Sequence, residues 1–256
     1  MYNHHSCIYV FYSLFVYFGI YSVLGLNPGM SNKRAILFDV DGTLSDSFQL
    51  GFSATQTVLK NNGFKAINEE DYHKGTRYTT PARLAWHSTG DVNDPIGVVL
   101  GKQFDDLYVQ LVSTDTAPFY PGVSTLLSSL KSTFPDMKYG ALSNACGAYV
   151  HSVLRVNGFT DDFKVALGAD EVPMPKPHPD GLLQCCYELK MDPKFCVYVG
   201  DSPTDGQAAA AAGMPSVGVT WGSHPAKSVR EAFTHTVETV EELQTQLTLV
   251  LSRAVE

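Results

Sequence analysis

The sequence predicts an α/β fold: a parallel sheet with helices on both faces, interrupted early by a block of helices. Three observations predict it. Short β-branched or apolar runs alternate with stretches of helical apolar spacing along most of the chain. Acidic and turn-forming residues gather directly behind the apolar runs, where open parallel sheets bind their ligands. Between Leu44 and Pro118 there is no strand pattern, so residues 46–117 form a helical insert within a core of residues 31–45 and 118–256.

Residues 1–30 stand apart. Cys7 to Leu26 carries no charge, and about 20 mostly apolar residues suffice to cross a bilayer as a helix. Lys33 and Arg34 follow and would hold the downstream domain on the cytosolic side. Four tyrosines from Tyr9 to Tyr21 dilute the apolar character, and Met30 opens a natural-looking start. The segment reads as an anchor, a targeting segment or a gene-model extension. A membrane association is expected only if residues 7–26 are retained; otherwise the protein is expected in the cytoplasm.

The first strand is Ala35 to Val40. Asp46 to Gly63 follows as a helix with a cap at its start and a glycine stop, and Pro95 to Ser113 as another with proline near its start. Shorter helical pieces lie between them. Gly122 to Phe134 is a helix leading into a strand at Lys138 to Asn144. Ala148 to Gly158 is the next helix, and Phe163 to Gly168 the next strand. His178 to Lys190 (helix), Phe195 to Asp201 (strand), Thr204 to Gly213 (helix) and Pro215 to Gly222 (strand) continue the rhythm, and Val240 to Ala254 closes it as a helix. The Ala208 to Ala212 run reads as a small-residue face that lets its helix sit close on the sheet.

Composition narrows the function classes. The apolar share of 44% against 17% charged residues suits a packed globular chain. Net charge is −8 with no basic run, so nucleic acid is not an expected partner. Five cysteines without a C-x-x-C spacing suggest neither a disulfide framework nor a zinc site, and they read as reduced thiols.

Four strand ends converge on one cleft. The first carries Asp39, Asp41 and Gly42, the second Ser143 and Asn144, and the fourth Asp201 and Asp205. Lys176, between prolines, follows the third. Residues i and i+2 of an extended segment project to one side, and paired carboxylates resist double ionisation unless a cation intervenes. A hard divalent cation prefers carboxylate oxygens, with Asp201 as the natural third contributor and Asp205 close behind. With Mg²⁺ there, one aspartate can attack while the other carries a proton, as phosphoryl transfer through an aspartyl-phosphate requires. Lys176, the Ser143 hydroxyl and the amides around Gly42 and Asn144 offset phosphoryl charge. Gly42 is expected to let the backbone approach the phosphate closely.

The motifs Asp39 to Leu44 (DVDGTL), Leu142 to Asn144 (LSN), Lys176 to Asp180 (KPHPD) and Gly200 to Asp205 (GDSPTD) occur in the order found in the haloacid dehalogenase superfamily of phosphohydrolases, which the chain resembles from about Lys33 to Ala254. Pro118 to Val123 and Ala212 to Gly222 resemble its phosphoglycolate phosphatase-like group. The resemblance implies a Rossmann-like core and a helical C1 cap formed by the insert. It implies Asp39 as nucleophile and Asp41 as general acid and base, with Lys176 beside them. It implies Mg²⁺ held by Asp39, the Asp41 carbonyl, Asp201 and Asp205, and phosphate held by Gly42, Thr43, Ser143, Asn144 and Lys176. The dehalogenase branch lacks the second aspartate, which favours phosphate esters here. In the cap, Arg77 is the candidate for binding a substrate carboxylate or second phosphate. Trp86 reads as cap core, and His151 and His178 as surface residues.

The expected function is hydrolysis of a small phosphomonoester, phosphoglycolate- or sugar-phosphate-like, by a monomer or homodimer. A β-phosphoglucomutase-like phosphotransferase, a phosphonate or pyrophosphate hydrolase, and a non-catalytic phospho-ligand binding protein are the alternatives.

Overall fold

The structure, a computed structural model, describes residues 34–253 of the 256-residue chain. The apolar segment 7–26 lies outside the described residues. No helix among the described residues is long and apolar enough to cross a membrane.

The strands are β1 (Ala35–Phe38), β2 (Lys138–Leu142), β3 (Phe163–Leu167), β4 (Cys196–Gly200), β5 (Ser216–Val219) and β6 (Thr236–Val237). They form one parallel sheet in the order β3-β2-β1-β4-β5-β6. This is a Rossmann-like α/β core with β1 at its centre. All four residues of β1 are buried, as expected of a parallel strand covered on both faces. Their side chains alternate: Ile36 and Phe38 enter one apolar cluster, Ala35 and Leu37 the other.

Ten helices occur among the described residues. In the core they are α5 (Val123–Thr133), α6 (Gly147–Val156), α7 (Asp180–Leu189), α8 (Pro203–Ala211), α9 (Ala226–Ala232) and α10 (Val240–Arg253). Leu126, Tyr149 and Leu247 bring α5, α6 and α10 to one face; Leu182 and Ala208 bring α7 and α8 to the other. Ala208 and Ala209 are fully buried while Ala210 and Ala211 are exposed, so one side of the alanine run packs against its neighbours.

Between β1 and α5 lie α1 (Phe48–Asn61), α2 (Glu69–Gly75), α3 (Thr80–Thr89) and α4 (Ile96–Leu111). Gly97 and Gly101, one helical turn apart on α4, allow α3 to approach. A Cβ on Gly97 would meet the Pro81 carbonyl at 2.2 Å, a distance no side chain tolerates. Leu84 and Leu100 are fully buried at this contact and belong to the same apolar cluster as Phe38. The chain leaves for these helices and returns from them through one small pairing. Asp46 N–H donates to the Pro118 carbonyl at 2.9 Å, and Tyr120 N–H to the Leu44 carbonyl at 2.9 Å.

Several boundaries differ from the sequence expectation. β1 stops at Phe38 rather than Val40, because the Val40 carbonyl accepts the amides of Thr43, Leu44 and Ser45 and closes a tight turn. The sequence pattern predicts neither β6 nor α9; a strand of two residues has no alternation to detect. The Ser47 hydroxyl does not cap α1. It donates to Asp41 Oδ1 at 2.5 Å instead.

Candidate active site

The carboxyl ends of β1, β2 and β4 meet the loop before α7 and the first turn of α8. Asp39 follows β1, Ser143 follows β2, Asp201 follows β4, and Asp205 is the third residue of α8. The cavity above them is walled by Asp39, Ser143 and Asp201 together with Tyr72, Thr76, Arg83, Phe104 and Tyr108 from the inserted segment.

Lys176 is the hub of the floor. It is 5% exposed, and its ammonium donates to Asp39 Oδ1 at 2.8 Å, Asp205 Oδ1 at 2.6 Å, Tyr198 OH at 2.9 Å and the Leu142 carbonyl at 3.2 Å. Burial opposes its charge, but Asp205 and Asp39 outweigh that and raise its pKa. The Lys176 backbone is pinned from the other side. Asn144 Nδ2 donates to its carbonyl at 2.9 Å, and its amide donates to Asn144 Oδ1 at 3.0 Å. The Asn144 side chain therefore positions the lysine.

Asp39, Asp201 and Asp205 are all buried, with one oxygen of each within 4.8 Å of the others. Burial, then the Asp205 charge, raises the Asp39 pKa well above the usual carboxylate range; Lys176 offsets part of this and Asp201 adds to it. Three buried carboxylates face one buried ammonium, so the donor set and its charge fit a hard divalent cation. Asp201 is oriented by the Ser223 amide at 2.8 Å and the Thr43 hydroxyl at 3.4 Å, with His224 Nδ1 at 3.4 Å from its Oδ2. Asp205 closes a capping box with Ser202 at the start of α8 and holds Lys176 as well.

The Asp41 side chain lines the same cavity as Asp39 but has other partners, which corrects the expectation that the two carboxylates press on each other. Past Phe38 the chain turns, so the two carboxylates keep different company. Asp41 Oδ1 accepts from Ser47 at 2.5 Å, Tyr149 at 2.6 Å and Tyr108 at 2.8 Å, and its Oδ2 accepts from Ser143 at 3.2 Å. The carboxylates that press on Asp39 are Asp205 and Asp201. As a metal ligand, Asp41 has only its backbone carbonyl to offer. Tyr108 and Tyr149 stack at 4.1 Å, and burial, then Asp41, raises both phenol pKa values. Both remain donors.

Two expectations for the first loop are also corrected. The Gly42 amide is spent on the Ser45 carbonyl at 2.9 Å and the Thr43 amide on Val40 at 3.4 Å, so the turn consumes them. Gly42 has φ +76°, and a Cβ there would lie 2.3 Å from Asp201 Oδ2. The close approach it permits here is to that aspartate. Arg77 is corrected as well. It is exposed, outside the cavity wall, and donates to Tyr78 OH at 2.8 Å. Arg83, one helix on, faces the cavity instead. Trp86 is half-buried against Tyr78 and His87, and His151 and His178 are exposed.

Sequence reasoning missed Tyr108, Tyr149, Tyr198, Ser47, Arg83 and His224. The tyrosines sit at positions whose spacing reads as core, which they also are. Their hydroxyls become functional only through partners distant in sequence.

Asp105, on α4 behind this wall, supplies a pH test. Burial pushes its carboxyl up to about 6, with Arg83 pulling the other way. The folded form thus holds a proton that the unfolded chain releases near 4, and stability falls as pH rises from about 4 through about 6. Asp105→Asn is expected to raise Tm by about 3 °C at pH 7.5, after discounting for solvent screening. Melting curves across pH should show that gain vanish at pH 4; an undiminished gain there would contradict the titration.

A Rossmann-like sheet whose strand ends gather an aspartate nucleophile candidate, a buried lysine and a carboxylate cluster able to hold a cation fits a phosphohydrolase. A sequence model of the haloacid dehalogenase-like hydrolase family matches residues 36–219, and the chain belongs to that family. The phosphoglycolate phosphatase of Salmonella typhi is 31% identical over 213 residues, spanning 75% of this chain and 83% of that one. The phosphoglycolate phosphatase of Xylella fastidiosa is 31% identical over 199 residues, spanning 77% and 85%. Among solved structures, CbbY from Rhodobacter sphaeroides in complex with phosphate superposes with a TM-score of 0.70 at 23% identity, covering 82% of this chain and 96% of that one.

Proposed function

We propose that this chain is a Mg²⁺-dependent phosphatase of small phosphomonoesters, phosphoglycolate- or sugar-phosphate-like, acting through an aspartyl-phosphate on Asp39. One observation carries the reading: Lys176 and a cation-fitting carboxylate cluster surround Asp39, while Asp41, two residues on, lies among hydroxyls. Different surroundings give paired acids different roles. The names of the phosphoglycolate phosphatase relatives support the substrate class.

An Asp39 carboxylate oxygen attacks phosphorus. The P–O bond to the leaving alcohol breaks, and Asp41 donates a proton to that oxygen. Asp41 then takes a proton from water, which attacks the aspartyl-phosphate, releases phosphate and restores Asp39. Ser47, Ser143, Tyr108 and Tyr149 can donate to Asp41 when it is charged, and their hydroxyls can turn when it carries a proton. Lys176 fixes Asp39 and lies beside the incoming phosphoryl group. Mg²⁺ held by Asp39 and Asp201, with Asp205 close by and the Asp41 carbonyl as a further ligand, would supply charge stabilisation at the phosphoryl oxygens. The helices Phe48–Leu111 act as a cap over the reaction. Four described cysteines, all buried free thiols, support a cytoplasmic setting.

The test is phosphate release over a panel of phosphomonoesters with Mg²⁺ and with EDTA. Release without any bisphosphate activator, falling on the order of 10³-fold in EDTA and restored by Mg²⁺, is the expected result. Release indifferent to EDTA would remove the metal from the mechanism, and transfer without net release would make the chain a mutase.

A further inference from the structure

We infer that Arg83 is the specificity-determining residue of this site, binding a second anionic group at the end of the substrate remote from the scissile phosphoryl group. The inference rests on the phosphatase reading above and extends it from a reaction to a substrate class: a small molecule with an anion at each end.

Arg83 is the fourth residue of α3, and its side chain reaches the cavity that Asp39 and Lys176 line from below. Its position is fixed by rings, with the guanidinium carbon 4.5 Å from the Phe104 ring centre and 5.4 Å from that of Tyr72. Its hydrogen bonding is far from complete. Nη1 makes one long bond, 3.4 Å, to Tyr72 OH, and Nε is buried with no partner. A guanidinium has five N–H donors.

Its charge is unmatched too. No carboxylate lies within 4.0 Å of Arg83 among the described residues, although ten such contacts occur elsewhere. The nearby groups do not fill the gap. Asp105 feels the charge but makes no ion pair with it, and one of its own oxygens is buried without a partner. His87, pushed down to about 4 by burial and by Arg83, offers no negative charge. A half-buried cation without a counter-ion, whose buried Nε has no partner, is costly, and proteins pair such groups or keep them for a ligand.

The two ends of the cavity are complementary to such a substrate. Below are the carboxylates and Lys176, suited to the reacting phosphoryl group. Above is a rigid fork whose geometry matches a carboxylate or phosphate through two parallel hydrogen bonds. An ester with a neutral far end would leave that fork desolvated and unpaired, which penalises it.

The experiment compares three esters that share one leaving oxygen: 2-phosphoglycolate, ethane-1,2-diol bisphosphate and ethyl phosphate. The far group is then a carboxylate, a phosphate or a methyl. Wild-type enzyme is expected to favour at least one ester with a second anionic group over ethyl phosphate by about 100-fold in kcat/KM, the scale of a charge-assisted pair shielded from water. Which one it favours identifies the far group. Arg83→Met should collapse that ratio to below about tenfold, mainly through KM, and Arg83→Lys should give an intermediate ratio. A wild-type ratio near one for both esters with a second anionic group would overturn the assignment whatever the variants do. So would a ratio that survives in a folded R83M protein. Absence of phosphate release from all three esters would defeat the phosphatase reading itself. Calorimetric binding of 2-phosphoglycolate and of the bisphosphate to wild type and R83M then still decides Arg83: loss of binding in the variant supports it, and a change under about threefold for both overturns it.

Discussion

The Asp39→Asn variant is expected to keep its fold and lose phosphate release by at least about 10⁴-fold, the scale seen when an attacking group is removed. The substitution keeps the side-chain volume and deletes the nucleophilic oxygen. It also removes a carboxyl whose ionised form is penalised, first by burial and next by Asp205. Lys176 keeps Asp205 as its partner. In EDTA the variant should therefore melt no lower than wild type. Added Mg²⁺ should raise its Tm less than it raises the wild-type value, because one cation ligand has lost its charge. Phosphate assays and melting curves read both effects. Retained turnover in a folded variant would end the covalent mechanism, and an unchanged Mg²⁺ shift would remove Asp39 from the metal site.

Lys176→Met should be the most disruptive single change in the floor. It leaves Asp39 and Asp205 buried without the ammonium that now lies 2.8 and 2.6 Å from them. Breaking a buried pair from one side costs about 3–5 kcal/mol. Tyr198 OH and the Leu142 carbonyl lose a donor as well. Urea unfolding in EDTA should show that loss, together with a fall in kcat on the order of 10³-fold from misplacement of Asp39. Adding Asp205→Asn to the variant should recover part of the stability and none of the activity, since one unpaired charge goes while Asp39 stays unsupported. Stability within about 1 kcal/mol of wild type would mean that the ammonium is not the organising charge of the floor.

Much of this site is legible in the chain because it depends on local rules. A run of four apolar residues followed by aspartate reads as a buried strand with a polar end, and β1 with Asp39 behaves so. Lys176, Asp201 and Asp205 are legible for a related reason. Parallel topology brings strand ends to one edge, so residues just beyond them share a cleft whatever the intervening loops do. The buried trio of Asp39, Asp201 and Asp205 follows from that rule alone.

The errors share a cause. The i and i+2 rule makes Asp39 and Asp41 neighbours only while the chain stays extended. The turn closed by the Val40 carbonyl ends the extension and delivers Asp41 to hydroxyls from α4, α6 and the segment before α1. Gly42 reads as a phosphate-facing glycine, yet Asp201, far along the chain, is what lies against it. Arg77 and Arg83 are indistinguishable as sequence. One extends to solvent beside Tyr78 and the other turns to the cavity against Phe104.

The sequence by itself determined the fold class, five of the six strands and the charged groups at their ends, because these follow from periodicity and connectivity. The tertiary structure decided which oxygen accepts from which donor, why Gly42 must lack a side chain and which arginine meets the cavity. Those depend on side chains packed together from distant parts of the chain, and local pattern records that a residue is buried without recording what it is buried against.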